Sequence, residues 1–157
     1  MKTELSQQLR GMPLFAEFSD DEIATFVDLA EHCSFKDGEL IVEQDSTGDA
    51  MFLIVTGSVK VSHHVDGKVI DLAVLEGGSF FGEIALVDHG PRSADVLARG
   101  DCSLLKIPQG TLRALAGVYP NAAFKLLLTV GRVLVARMRA GNKKYIDSLL
   151  MLKNANH

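Results

Sequence analysis

Only two cysteines, Cys33 and Cys102, occur in the 157 residues. That is too few for a disulfide scaffold or a four-thiolate metal site. Both are expected as buried, reduced thiols of a cytoplasmic protein. No apolar run reaches the roughly 20 residues of a membrane span. The most apolar stretch, Leu126 to Ala136, is shorter and carries Arg132. Met1 to Arg10 is polar and lacks the apolar centre of a signal peptide. There is no P-loop, no metal-ligand cluster and no Ser/His/Asp pattern compatible with strand geometry, so no catalytic and no metal-binding residue is assigned and the protein is not expected to be an enzyme. Acids are nearly missing from the last quarter. Residues 118–157 hold Asp147 against seven Lys and Arg, a net +6, whereas residues 1–117 hold 9 basic and 19 acidic residues, a net −10. Seven dispersed charges are a weak electrostatic footprint for nucleic acid. The basic tail is expected to lie against its own acidic domain or in solvent.

What is present suffices for one domain with a core: 47% of residues are apolar and 23% charged. The first 31 residues read as helices. Residues 3–11 form a short one, Met12-Pro13-Leu14-Phe15 an apolar anchor, and Ser19 with Glu22 a capping box. That box opens a helix with Ile23, Phe26, Val27 and Ala30 at helical spacing, running to about Glu31. From residue 32 to residue 108 the period changes. Short β-branched and aromatic runs alternate with Gly and Asp breaks, giving seven or eight strands and a sandwich or small barrel. Asp66-Gly67 between valine-rich flanks predicts a hairpin. After Pro108 helical spacing returns: Gln109 to Ala116, then Ala122 to about Ala140 capped by Asn121, with a stop at Gly141-Asn142 and a short amphipathic helix over Tyr145 to Lys153. Lys125, Arg132 and Arg139 mark a solvated stripe on the long helix. Its apolar residues cover more than one side, so one face should meet the β-structure and another a partner, most simply a second copy.

The stretch from Gly77 to Ala94, Gly-Gly-Ser-Phe-Phe-Gly-Glu-Ile-Ala-Leu-Val-Asp-His-Gly-Pro-Arg-Ser-Ala, holds the densest chemistry. Its glycines let the backbone turn and approach a ligand closely. Glu83 to Leu86 can form one helical turn, whose N–H groups favour an anion. Arg92 and Ser93 add a guanidinium and a hydroxyl, a good phosphate site. Glu83 would repel phosphate unless it binds something else, and a sugar hydroxyl is the natural choice. A pocket for a phosphorylated sugar follows from the residues themselves.

Phe81-Gly82-Glu83-Ile84-Ala85-Leu86 followed by Pro91-Arg92-Ser93-Ala94 resembles the phosphate-binding cassette of the cyclic nucleotide-binding domains, found in bacterial catabolite activator proteins, protein kinase A regulatory subunits and cyclic nucleotide-gated channels. Asp49 to Val61 is similar to the strand–Gly–strand unit that precedes the cassette, and Gly38, Gly57 and Gly78 fall where that family turns. Asp45 stands where the family usually has Gly, and Asp tolerates the left-handed turn. The resemblance implies an α+β, mainly β fold: an eight-stranded antiparallel β-roll or jelly roll over residues 32–108, with the cassette at 81–94, flanked by N-terminal helices (1–31) and C-terminal helices (109–157) that serve as lid and dimer contact. It implies a regulatory module that binds a cyclic nucleotide, cAMP in preference to cGMP, and transmits occupancy through the C-terminal helix to a partner. In it Arg92 contacts the cyclic phosphate, Glu83 the ribose 2′-hydroxyl, Gly82 and the N–H groups of Ile84 and Ala85 cradle sugar and phosphate, and Ser93 adds a hydroxyl. Arg132, Arg137 and Thr129 are the candidates for the lid contact to the base, each also readable as a plain helix-surface residue.

Two features do not fit simply. Asp95 replaces the Thr of kinase-type cassettes; strand alternation puts it on the face of Ser93, and if that face lines the pocket it would repel phosphate or read a base amine. His63 and His64, adjacent on a strand, point to opposite faces and are poor joint ligands for one metal. Only 18 residues follow Arg139, too few for a helix-turn-helix, so specific DNA binding is not expected, and the effector is unknown. The alternative is a non-catalytic interaction or oligomerisation protein whose pocket no longer binds nucleotide. A small transcription factor using the basic tail ranks last.

Overall fold

A computed structural model describes residues 2–86, 88 and 90–155. Val87 and His89, inside the cassette, lie outside the described residues. Two short helices come first, α1 (Lys2–Arg10) and α2 (Asp20–Leu29), with a 3-10 turn over Pro13–Phe15 between them. The predicted capping box is present: the Glu22 N–H donates to Ser19 Oγ at 3.1 Å and the Ser19 N–H to Glu22 Oε1 at 2.8 Å. Six strands follow: β1 (Glu31–Phe35), β2 (Leu40–Val42), β3 (Ala50–Val65), β4 (Lys68–Glu76), β5 (Phe80–Phe81) and β6 (Asp95–Pro108). Helices α3 (Gln109–Val118) and α4 (Pro120–Ala155) close the chain.

All strand pairs are antiparallel, in the order β1-β6-β3-β4, with β2 on β6 and β5 on β3. The predicted eight-stranded roll is this sheet counted differently. β3 and β6 each join two predicted strands, bent by register shifts around Thr56. Gly57 sits at that bend with φ +89°, and a Cβ there would meet the Asp101 carbonyl oxygen at 2.6 Å. The Asp66-Gly67 hairpin forms, with Val65 opposite Lys68, and Asp45 adopts the left-handed conformation expected of it, φ 69°.

Alternation along β3 and β6 divides the core. Met51, Leu53, Val55, Leu105 and Ile107 face the helices and pack with Leu9, Phe15, Phe26, Leu115, Leu126 and Val130. Phe52, Ile54, Val59, Val96, Ala98, Cys102 and Leu104 face into the roll with Phe81 and Val42. Each fully buried side chain of this kind stabilises the fold by roughly 1.5–3 kcal/mol. Cys102 is buried and Cys33 half-buried; burial pushes both thiols up from their ordinary value.

α4 departs from expectation. No stop occurs at Gly141-Asn142, and one helix of 36 residues runs to Ala155, about 54 Å long at 1.5 Å per residue. Ala122, Ala123, Leu126 and Val130 are buried, while every described residue from Val135 onward except Arg137 is exposed. Lys125 is not merely solvated: its ammonium donates to the Glu17 carbonyl at 3.0 Å and lies 3.8 Å from Glu22 Oε1. Among the described residues no helix is long and apolar enough to cross a membrane.

Candidate functional site

The cassette leaves β5 at Phe81, turns at Gly82 and makes a single 3-10 turn over Glu83–Leu86. It returns through Pro91-Arg92-Ser93 to enter β6 at Asp95. β5 is held on β3 by the pairs Phe52–Phe81 and Leu53–Phe80, and the rings of Phe52 and Phe81 stack at 5.2 Å. The start of the cassette is thereby fixed to the centre of the sheet.

Two cavities open on this loop. One, about 250 Å³, is walled by Val42, Val61, Leu75 and Phe81 and bounded by Gly82, Glu83, Arg92, Ser93 and Arg137. The other, about 150 Å³, is lined by Gly82, Glu83, Ile84, Ala85, Arg92 and Ser93 with Asp88, Gly90 and Pro91. All six residues singled out in the sequence therefore line one or both cavities, and Gly82, Glu83, Arg92 and Ser93 line the two together. The first cavity offers an apolar wall and the second a polar mouth. A larger groove of about 800 Å³ lies between α1 and α2; Lys2 pairs there with Asp28 at 2.6 Å and Arg10 with Asp20, so both of its cations are already engaged.

The Arg92 guanidinium donates to the carbonyls of Gly82 at 3.2 Å and Ala50 at 2.8 Å. Its approach depends on two residues without side chains. A Cβ on Gly82, whose φ is +73°, would lie 2.6 Å from Arg92 Nη1, and one on Gly48 would lie 2.8 Å from Nη2. Burial pushes the guanidinium below its ordinary value, and the carboxylates of Asp49 and Glu83 oppose that shift. An anion in either cavity would meet a half-buried guanidinium that keeps its full charge. Ser93 is exposed at the cavity mouth. The Ala85 N–H donates to the Gly82 carbonyl at 3.2 Å, a contact that a ligand taking this N–H would have to displace.

Glu83 is buried, and its partner comes from α4. Arg137 Nη1 donates to Glu83 Oε1 at 3.1 Å and Nη2 to the Phe80 carbonyl at 2.8 Å, with the guanidinium 4.9 Å from the centre of the Phe80 ring. Of the three lid candidates, Arg137 alone reaches the site by these contacts; Arg132 is exposed and lines a shallow groove on the far side of α4. The sequence carried a signal for this. Arg137 continues the Leu126, Val130, Leu134 spacing of the face that packs on the domain, off the Lys125–Arg132–Arg139 stripe. An arginine on an apolar face needs a buried acceptor.

Asp95 does not line either cavity. It is 8% exposed, accepting from the Gln44 N–H at 2.6 Å and lying 2.5 Å from His64 Nε2. The expectation that it shares a face with Ser93 fails because β6 begins at Asp95, so strand alternation does not extend back to Ser93. His63 Nδ1 sits 2.8 Å from the Ser93 carbonyl, and the two imidazoles serve different partners. Among the described residues no three His, Cys, Asp or Glu side chains group as metal ligands.

Comparison with known proteins gives the family. The sequence model of the family described as cyclic nucleotide-binding domain matches residues 32–119. The chain is 31% identical over 125 residues to the cyclic AMP receptor protein of Thermus thermophilus, covering 79% of this chain and 58% of that one. It is 32% identical over 99 residues to a cGMP-dependent protein kinase of Caenorhabditis elegans, covering 62% and 13%. The crystal structure of the N-terminal domain of a transcriptional regulator from Streptomyces coelicolor superposes with a TM-score of 0.72 at 30% identity, over 85% of this chain and 93% of that one. The chain spans between 12% and 58% of the length of the curated relatives it matches.

Proposed function

We propose that the chain, which belongs to the cyclic nucleotide-binding domain family, is a cyclic nucleotide sensor, selective for cAMP, that passes occupancy to a partner through α4. The observation that carries this is the convergence of Arg92, Ser93, Glu83 and Gly82 on two cavities that share these four residues, with Glu83 tied directly to the C-terminal helix by Arg137. In this scheme Arg92 exchanges a backbone carbonyl for the cyclic phosphate. Ser93 and the backbone N–H groups of Ile84 and Ala85 add donors to that phosphate. Glu83 accepts from the ribose 2′-hydroxyl, and Gly82 allows the sugar to approach. The base lies along the apolar wall of Val61, Leu75 and Phe81. Named relatives include both a cyclic AMP receptor protein and a cGMP-dependent kinase. The choice of cAMP rests on the Arg92-Ser93 pair, which resembles the bacterial cAMP activators.

Occupancy reaches α4 because the nucleotide and Arg137 compete for, or share, one carboxylate. A ligand with different affinity for two placements of α4 shifts their populations by that difference. The receiving surface is on the same helix. Phe124, Leu128, Gly131, Val135, Met138, Asn142, Tyr145, Leu149 and Leu152 are spaced alternately four and three residues apart. Apart from Gly131, which is half-buried, all of them are exposed. Sustained spacing of 3.5 is the seam of a two-stranded coiled coil, and a single Asn on it favours a parallel, in-register pair. A homodimer along α4 covers that seam, and an effector reads its geometry. On this reading the protein acts in the cytoplasm.

Isothermal titration calorimetry with cAMP and cGMP tests the site. Micromolar or tighter binding should weaken about 30-fold or more in Arg92→Ala, the loss of a charge-assisted phosphate contact. A folded, nucleotide-free protein giving no heat with either ligand overturns the sensor and leaves an interaction module on the same fold.

A further inference from the structure

Glu83 sets a problem for the site it lines: a carboxylate beside the guanidinium that would hold a phosphate. Glu83 and Arg92 bound the same two cavities, of about 250 and 150 Å³, and the Glu83 charge is felt at Arg92. A cyclic phosphodiester is a monoanion, so an unpaired Glu83 would repel it. The Glu83 side chain is only 10% exposed, and buried charges are poorly screened by salt. The answer comes from α4. Arg137 Nη1 donates to Glu83 Oε1 at 3.1 Å, and Nη2 donates to the Phe80 carbonyl at 2.8 Å. The guanidinium also lies over the Phe80 ring, 4.9 Å from its centre. Phe80 is buried and paired with Leu53 on the central strand β3, so the fork is anchored to the sheet as well as to the carboxylate. Arg137 occupies one oxygen only. Among the described residues Glu83 Oε2 has no hydrogen-bond partner, and no buried side-chain oxygen among them lacks one. Oε2 is therefore accessible, from the cavities that Glu83 lines.

We propose that Arg137 is a positioning and specificity-determining residue of the nucleotide site. Its charge offsets that of Glu83, so that the phosphate is tolerated. Its fork holds Oε1, so that Oε2 is aimed at the ribose 2′-hydroxyl. This rests on the nucleotide-sensor function above, and it commits the pair to sharing the carboxylate with the ligand rather than competing for it. An ionised carboxylate has acceptor sites for both, about four lone pairs on its two oxygens. Charge and geometry are separable here. Lysine carries the same charge as a point on a flexible stem, whereas the arginine fork is planar and fixes the directions of its bonds. Arg137 spans Glu83 and Phe80 with two different nitrogens, which a single ammonium does less well. A site of this kind binds a ribonucleotide in preference to its 2′-deoxy analogue, which would leave Oε2 covered and without a donor.

The test is calorimetry with cAMP and 2′-deoxy-cAMP on wild type, Arg137→Gln and Arg137→Lys, with thermal melting as a check on folding. Wild type should bind cAMP about tenfold or more tighter than 2′-deoxy-cAMP, the worth of a hydrogen bond to a charged group. Arg137→Gln should weaken both ligands by about tenfold, since Glu83 then opposes the phosphate uncompensated. It should weaken cAMP further, so that the preference shrinks to within about threefold. Arg137→Lys should hold 2′-deoxy-cAMP affinity within about threefold of wild type while losing most of the preference. A role confined to docking α4 would weaken both ligands alike and leave the preference whole, and that result overturns the proposal. Tighter cAMP binding in Arg137→Gln overturns it as well, because Arg137 would then compete with the ribose. Should Arg137→Gln not fold, Arg137→Lys carries the test through its preference. A wild type that binds both nucleotides equally overturns the ribose contact while leaving the phosphate site. Absence of cAMP binding by wild type overturns the nucleotide site and the role of Arg137 with it.

Discussion

At the scale of single residues, the site is governed by what is missing as much as by what is present. The Arg92 guanidinium occupies space that Cβ atoms on Gly48 and Gly82 would take. Gly82→Ala should therefore act on binding as well as on folding. The nearest atom to the new methyl is the movable end of Arg92, so the chain can accommodate it, at about 1–2 kcal/mol for the left-handed backbone. The displaced guanidinium should cost at least about tenfold in nucleotide affinity. Chemical unfolding and calorimetry on the same variant separate the two effects, and unchanged affinity would sink this account of Gly82. Arg137 and Asp95 mark the limit of one-dimensional reasoning at this scale. Arg137 was one lid candidate among three, and only packing of α4 on the domain brought it to Glu83. Strand alternation left open whether Asp95 lines the pocket with Ser93; it lines neither cavity and is held instead by Gln44 and His64.

At the scale of elements, local signals carried far. Alternation along β3 and β6 sorted residues between the two halves of the core, because successive strand side chains must point to opposite faces. The capping box at Ser19 set the start of α2. Its contribution can be measured: Ser19→Ala should lower stability by about 1 kcal/mol and the melting temperature by about 2–4 °C for a chain of this size. A loss within error would show that packing of Ile23, Phe26 and Val27 alone fixes the helix. The C-terminal helix was where local signals misled. Gly141-Asn142 suggested a stop, yet glycine in a helix interior costs only about 1 kcal/mol relative to alanine, and the lysines and leucines that follow are good helix formers. The helix continues.

At the scale of the molecule, α4 has one half docked on the roll and one half extending beyond it. Most helical stability in proteins comes from packing of an amphipathic face, and the extended half is exposed from Val135 onward except at Arg137, so a second copy along the proposed seam is expected to raise its order. Val135→Glu puts two like charges across the proposed seam. Wild type should sediment as a dimer at micromolar concentration, and the variant as a monomer with reduced helical signal and a roll that still melts cooperatively. A wild type that stays monomeric at tens of micromolar would remove the dimer from the mechanism.

The sequence by itself determined the β-roll with its helical flanks, the family, and six of the residues that line the two cavities. Those follow from periodicity, turn chemistry and a ten-residue cassette, all short-range patterns along the chain. Only the tertiary structure decided what joins distant segments: Arg137 on Glu83, 54 residues apart, Asp95 on Gln44, 51 apart, and Arg92 on Ala50, 42 apart. Such contacts depend on how α4 and the β2–β3 connection pack against the sheet. Packing is a property of the whole core and leaves no fixed spacing in the chain to be read.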